Sequence, residues 1–328
     1  MHRYIIKRLL LIIPVVLAAA ILIFTIMYFC PGDPVEVILG GQATDVVKEQ
    51  VRTEMGFNDP FFVQLGRYLK NLFLKFDLGT SYITRKSVGG EILSRFPRTF
   101  LLALACMVMN VLIGIPLGVM AATHLNGPAD RICMVAALVG SSLPNFWVAM
   151  ELVIFFALTL HILPAYGIGG LKYYVMPVIA GSLEGIAQQA RYTRSGVLEV
   201  IRSDFVTTAR AKGVPERVIL YKHALPNALI PVIQNLGNMF ARSIGGALVI
   251  ENVFNIPGLG VYLSTGITNR DYPIVQGSVV MLSVVFCLIM LMVDLSFAFI
   301  DPRVKAQYEN QGKKMAKVKQ ADNGGVVI

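Results

Sequence analysis

Asn227, Pro231, Asn235, Asn238 and Arg242 recur at steps of four, four, three and four within an otherwise apolar stretch. On an α-helix that spacing puts them on one face. Three amides and a guanidinium offer hydrogen bonds and one permanent positive charge. That is the chemistry of a hydrated passage, with a buried structural hydrogen-bond network as the other reading. An arginine near a bilayer centre costs roughly 2.5–3.5 kcal/mol on insertion scales, so Arg242 must face a partner or a water-filled cavity. Beside the stripe, Gly237, Ala241 and Gly245 form a small-residue edge suited to close helix packing. Asn235, Asn238 and Arg242 are therefore candidates for lining a path, with Glu151 a candidate counter-charge for Arg242 and Glu184 a further costly acid. Glu251 and Asp271 flank a Gly- and Pro-punctuated segment, ENVFNIPGLGVYLSTGITNRDYP, read as a re-entrant or surface helix on the outer side. They are candidates for an outer gate or a receptor contact, with a purely structural lid as the alternative.

Covalent and metal chemistry find little support. The chain has no phosphate-cradling G-x-x-x-x-G-K-[ST], no H-E-x-x-H and no G-x-S-x-G. His2, His124, His161 and His223 do not cluster, and Cys30, Cys106, Cys133 and Cys287 are scattered without C-x-x-C spacing. No catalytic residue, metal site or cofactor is expected in this chain.

The elements that position these residues are membrane helices. Of the 328 residues 55% are hydrophobic and only 15% are charged, and the mean hydropathy is +0.64. A hydrocarbon core of about 30 Å needs roughly 20 apolar residues. Six candidate spans lie near residues 9–30, 98–122, 133–160, 175–195, 227–250 and 277–300, the fourth being the most polar. The expected fold is an all-α polytopic membrane protein with six transmembrane helices.

With the N-terminus inside, 17 Lys and Arg residues fall on the cytoplasmic side against Lys172 and Arg270 in the two short outer loops. Both termini are therefore expected in the cytoplasm, and the net charge of +9 reflects topology and not a nucleic-acid footprint. The outer segment 31–97 carries two amphipathic stretches, DVVKEQVRTEM and QLGRYLKNLFLKF, expected to form a small helical cap. The last residues, rich in Lys, Gln, Asn and Gly, read as a disordered tail. The chain thus divides into 1–30, a cap region 31–97, a core 98–300 and a tail 301–328.

One polar stretch stands out on the cytoplasmic side, FVTTARAKGVPERVILYKHALP at 205–226. Ser203 or Asp204 can cap a short helix that Gly213 stops in the left-handed conformation. Pro215 starts a second helix, which Pro226 is expected to close while opening the fifth span. A DNA-binding helix-turn-helix is excluded by tethering between two spans. A free loop is hard to reconcile with Phe205, Val206, Val218, Ile219 and Tyr221, which should bury a face. A cytoplasmic partner protein is the remaining account.

Here the chain resembles the ABC importer permeases of the dipeptide, oligopeptide and nickel branch. TARAKG at 208–213, followed by His223-Ala-Leu-Pro226, is similar to their coupling-loop motif, although Thr207, Thr208 and His223 depart from its Glu, Ala and Ile. The resemblance extends over PGDP (31–34), DLGTS (77–81), RFPRTFLLAL (95–104), IGIPLG (113–118), SSLPNFW (141–147), ILPAYG (162–167), ENVFNIPGLG (251–260), RDYPIVQG (270–277) and DPRV (301–304). It implies a type I ABC importer permease fold in the cytoplasmic membrane and a coupling loop, 196–226, that docks on an ATPase. Carried onto this chain, the docking role falls on Phe205, Thr208, Ala209, Arg210, Lys212, Gly213, Pro215 and Leu225. The implied partners are a second homologous permease, two ATPase subunits holding ATP and Mg, and an extracytoplasmic solute-binding protein.

Within that branch a peptide substrate is expected over nickel or a metal chelate, because free nickel would call for a His, Cys or carboxylate cluster. An ion-coupled secondary transporter is the alternative from another class, kept open by Glu151 and Glu184. A membrane-embedded hydrolase fits less well.

Overall fold

The computed structural model describes residues 2–39 and 43–300. The expected tail, 301–328, lies outside the described residues. Fourteen α-helices follow one another among them. They are α1 (His2–Phe29), α2 (Pro34–Leu39), α3 (Asp45–Met55), α4 (Phe61–Leu74), α5 (Val88–Met109), α6 (Ile115–Thr123), α7 (Pro128–Ser142), α8 (Asn145–Leu152), α9 (Lys172–Ile201), α10 (Asp204–Ala211), α11 (Glu216–Val218), α12 (Leu225–Val253), α13 (Leu259–Thr268) and α14 (Tyr272–Ile300). The extended backbone pairs only in one isolated bridge, Thr80 with Ser87, among the described residues.

Three helical stretches are long and apolar enough to cross a bilayer: Arg8–Phe29, Val88–Thr123 and Tyr272–Val293. A fourth is the pair α7 and α8, bent by 96°. The bend falls at Pro144, which has no N–H to donate and crowds the preceding turn. Ser141 and Ser142 both donate to the Leu138 carbonyl, and Arg191 of α9 donates to Ser141 Oγ at 2.9 Å. Helices α9 and α12, at 30 and 29 residues, have the length of spans but are more polar than the other four.

Three π-helical stretches interrupt the ladder among the described residues, at Asn110–Gly114 between α5 and α6, at Val153–Thr159 after α8 and at Ile219–Ala224 between α11 and α12. The first and the third end two residues before a proline, Pro116 and Pro226. A ring without an N–H cannot close the ordinary turn, and the widened turn accommodates it. Pro226 sits in the first turn of α12, as the sequence reading has it, but it does not close the short helix before it, so the chain runs helically from Glu216 to Val253.

Helix α9 is the centre of the bundle and packs against α12, α5, α6, α7 and α8, while α1 packs on α14. The main core joins Leu102 and Cys106 of α5, Ala149 of α8, Met176 and Ala180 of α9, and Ile250 and Phe254 of α12. Glycines let these helices approach. A Cβ at Gly118 would stand 2.5 Å from the Ala190 carbonyl, and one at Gly185 would stand 2.4 Å from Asn110 Nδ2. The expected small-residue edge of α12 packs on α14 through two of its members: a Cβ at Gly237 would meet Val293, and Ala241 is buried against Val285 and Ile289.

Between α1 and α5, α3 covers the stretch DVVKEQVRTEM and α4 most of the second amphipathic stretch. Leu72 of α4 is buried with Val16 and Ala20 of α1 and Val280 of α14, and Tyr68 stacks on Phe24 at 5.3 Å. Arg52 pairs with Asp33, and Lys48 with Glu36 at 3.3 Å, tying α3 to α2 and the turn before it.

Candidate functional site: a charged cavity and an exposed loop joined by one helix

A cavity of about 180 Å³ opens between α5, α9 and α12. Its polar wall is Asn110, Asn145, Glu184, Gln188, Arg242 and Ser243. Arg242 therefore faces a cavity, as the cost of burying its charge in lipid requires. The acid that shares this cavity is Glu184 of α9. Glu151 lies exposed on α8 and is not part of the cavity wall. Glu184 accepts a hydrogen bond from Gln188 at 2.9 Å. Among the described residues Arg242 has no ion pair, and Asn110 Oδ1, although buried, has no hydrogen-bond partner.

The other members of the polar stripe separate. Asn235 is buried and donates to Gln189 Oε1 at 3.3 Å, and Gln189 in turn reaches Thr193. This is the structural network left open by the sequence. Asn238 is exposed and lies outside the cavity wall, and Asn227 caps the His223 carbonyl at 2.7 Å.

Glu251 and Asp271 are fully buried, so neither presents a surface to a receptor in this chain. Asp271 accepts hydrogen bonds from Ser81 Oγ at 2.6 Å and from the N–H groups of Tyr82 and Ile83. It pins the loop before α5 onto the start of α14. Glu251 accepts from the Gly260 N–H at 2.6 Å, in the first turn of α13, where the helix dipole favours a carboxylate. Thr99 accepts from Leu259 N–H beside it. Both acids hold separate segments together. Sequence spacing could not reveal this, because their partners, backbone N–H groups and the Ser81 hydroxyl, are brought in by other elements.

At the opposite end α10 is the short helix expected. Gly213 has φ of +75°, and the Val214 N–H reaches back to the Ala209 carbonyl at 3.2 Å, the glycine-terminated helix end. Ser203 does occupy the position before α10, but its hydroxyl turns back to the Val200 carbonyl at 2.6 Å instead of capping α10. Pro215 precedes the first helical residue, Glu216, where its locked φ of −59° restarts the helix. Val206 is buried against Ile219 and Ala224, so the loop is fastened by its own small core.

Phe205, Thr208, Arg210, Lys212, Gly213 and Pro215 are exposed, whereas Ala209 and Leu225 are partly buried and pack inward. Arg210 bonds Glu216 across the glycine turn, which holds the Glu216 carboxyl below the usual carboxylate range and raises the Arg210 guanidinium. The turn is thus clasped by an exposed ion pair, with the six exposed residues gathered within the short stretch 205–215.

Sequence reasoning missed Asn110, Gln189 and Asp130. Asn110 had a signal, being the one amide in the apolar run of α5 and the turn after it. Asp130 had none, because its partner Arg194 lies on another helix.

Residues 114–306 match the family described as binding-protein-dependent transport system inner membrane component. Residues 1–103 match the description of the N-terminal part of such membrane components. The chain is 39% identical to the glutathione transport system permease protein GsiC of Salmonella paratyphi A, over 93% of this chain and 99% of that protein. It is 38% identical to the dipeptide transport system permease protein DppB of Alkalihalophilus pseudofirmus, over 93% of this chain and 100% of that protein. A crystal structure of an amino acid ABC transporter with histidines is similar at a TM-score of 0.49 and 16% identity, covering 66% of this chain and 94% of that one.

Proposed function

This chain belongs to the binding-protein-dependent transport system inner membrane components, multi-pass proteins of the inner membrane, and from that premise we propose that it is a permease subunit of an ATP-driven importer of short peptides. Its relatives are named for glutathione and dipeptide transport, which favours a peptide solute over nickel and an ATP-driven importer over an ion-coupled carrier. The chain works with a second permease, two ATPase subunits that carry ATP and Mg, and an extracytoplasmic solute-binding protein.

The carrying observation is mechanical. The exposed loop around α10 leads through the Gly213 turn straight into one helical run, Glu216 to Val253, and that run carries the cavity wall at Arg242. A partner that pushes on Phe205, Thr208, Arg210, Lys212 or Pro215 displaces α12 and so reshapes the cavity. Ala209 and Leu225 serve the same coupling from within, by seating the loop on α9 and α12.

In this reading α9 and α12 are the remaining two of six crossings. At 1.5 Å per residue each is roughly 43–45 Å long, more than a hydrocarbon core of about 30 Å. Some of their polar residues meet one another, as Gln189 with Asn235, and others line the cavity, as Glu184, Gln188 and Arg242, which spares these groups contact with lipid. Both termini lie in the cytoplasm, in keeping with the excess of Lys and Arg there.

The test is uptake of labelled dipeptide into vesicles carrying the whole complex and supplied with the solute-binding protein. Uptake should require ATP and stop when the ATPase subunits are omitted. Uptake driven by an ion gradient without them would overturn the reading.

A further inference from the structure

We infer that the cavity between α5, α9 and α12 recognises both ends of an unblocked peptide, Arg242 taking the α-carboxylate and Glu184 with Asn110 Oδ1 taking the α-ammonium. The inference rests on the importer reading and adds the solute chemistry that this chain selects.

Four observations carry it. First, the cavity presents one cation and one anion, and neither neutralises the other, since no ion pair within 4 Å engages Arg242 or Glu184 among the described residues. An unpaired arginine in a membrane helix is costly enough to call for a function.

Second, the two charges lie at one depth. α9 and α12 run in opposite directions on either side of the 202–224 segment. Glu184 is 12 residues from the outer end of α9, and Arg242 is 11 from the outer end of α12. At 1.5 Å per residue these are about 18 Å and about 16 Å, so a solute held by both lies across the path.

Third, Asn110 is only 2% exposed, lines the same cavity, and has an Oδ1 that accepts from nothing. A buried acceptor left empty costs free energy that a donor would recover. An ammonium has three N–H donors, enough for one Glu184 oxygen and Asn110 Oδ1 together. The guanidinium fork, conversely, matches a carboxylate with two parallel hydrogen bonds. Gln188 keeps Glu184 in place at 2.9 Å.

Fourth, the cavity is small. At about 180 Å³ it falls below the roughly 300 Å³ at which typical small-molecule pockets begin. Its other walls are featureless and apolar: Leu102, Ala103, Met239, Ala247 and Ile250. It can fix the charged ends of a backbone while leaving side chains outside. That suits a carrier of peptides with varied side chains and common termini.

The experiment uses the purified permease–ATPase complex without the solute-binding protein and measures binding of radiolabelled alanyl-alanine against its N-acetyl and C-amide forms. Wild type should prefer the free dipeptide by at least about tenfold over either blocked form. Arg242→Gln should abolish the preference over the C-amide and keep that over the N-acetyl form. Glu184→Gln should do the reverse. Arg242→Lys and Glu184→Asp, which retain charge and assembly, should keep a reduced preference of the same sign. Unchanged preferences in the Gln variants, or in the Lys and Asp variants if the Gln complexes fail to assemble and these match wild type, would overturn the inference. So would a wild-type complex that does not distinguish the three peptides. Wild-type ATP-dependent uptake in the vesicle assay separates this failure from failure of the importer reading, which would abolish that uptake.

Discussion

Arg194 donates to both carboxylate oxygens of Asp130, at 2.6 Å from Nε and 2.8 Å from Nη2, across 64 positions of sequence. The Asn126 N–H adds a third bond to the same carboxylate at 2.9 Å. This clasp ties the turn between α6 and α7 to the last third of α9, next to the coupling loop. Asp130 is nearly buried, with 4% of its side chain exposed, while Arg194 keeps 26%. Removing one partner leaves the other charge poorly solvated, at the lower end of roughly 3–5 kcal/mol for a broken buried pair. Asp130→Ala should lower the thermal midpoint of the detergent-solubilised protein, and the exchange Asp130→Arg with Arg194→Asp should recover part of the loss. Equal midpoints for wild type and Asp130→Ala would show that the clasp contributes nothing.

Gly213 acts through its backbone alone. No atom lies within 4 Å of a Cβ built there, yet φ is +75°. A branched side chain in that conformation costs on the order of 1–2 kcal/mol. Gly213→Val should therefore leave the amount of protein in the membrane near wild type while reducing receptor-stimulated ATP hydrolysis in the assembled complex. Gly213→Asn, which tolerates the left-handed region, should be milder. Equal coupling in all three would rule out the glycine turn as a shape requirement.

The Arg210–Glu216 clasp carries a pH signature. The folded carboxyl is held below its ordinary value by the Arg210 hydrogen bonds. A lowered carboxylate contributes its full stabilisation above the ordinary carboxylate range and loses it as pH falls through the lowered folded value. The protection of the Val214 amide, whose N–H closes the glycine turn, taken relative to its intrinsic exchange rate at each pH, should fall only at acid pH. Glu216→Gln should abolish that acid-dependent step. Because both groups are exposed, the step should shrink in high salt.

Asp271 gives a test of the outer side. It accepts three hydrogen bonds from residues 81–83 while buried. Bonds to an ionised acceptor contribute about 1.5–3 kcal/mol each. Asp271→Asn keeps the size but turns one acceptor oxygen into a donor facing donors. Limited proteolysis should then cut faster near Arg85 and Lys86, which follow the pinned loop. An unchanged cleavage rate would show that the loop is held by other contacts.

Much of the helical plan is legible in sequence because it depends on local chemistry. Apolar runs of bilayer length mark α1, α5 with α6, and α14. Pro144 marks the break between α7 and α8, and Gly213 marks the end of α10. Each is decided by the residue itself and its nearest neighbours, through propensity, a missing N–H or a permitted positive φ. That Pro226 stands at the start of α12 was legible, but that it would leave the preceding short helix unbroken was not. Whether a proline ends a helix or is absorbed by a wider turn depends on packing around it, here Ile219 and Ala224 against Val206.

The site divides along the same line. Sequence alone determined that Arg242 needs a polar partner or a cavity, since the cost of a charge in hydrocarbon depends only on the charge. It also determined that the basic 205–226 stretch must bury one face and expose another. Only the tertiary structure decided that Glu184, and not Glu151, shares the cavity with Arg242, that Asn235 belongs to a structural bond with Gln189, and that Glu251 and Asp271 are buried anchors. The physical reason is range. Helix period and insertion cost act within one segment, whereas the partner of a polar side chain is set by which segments pack together, over separations that no local pattern encodes.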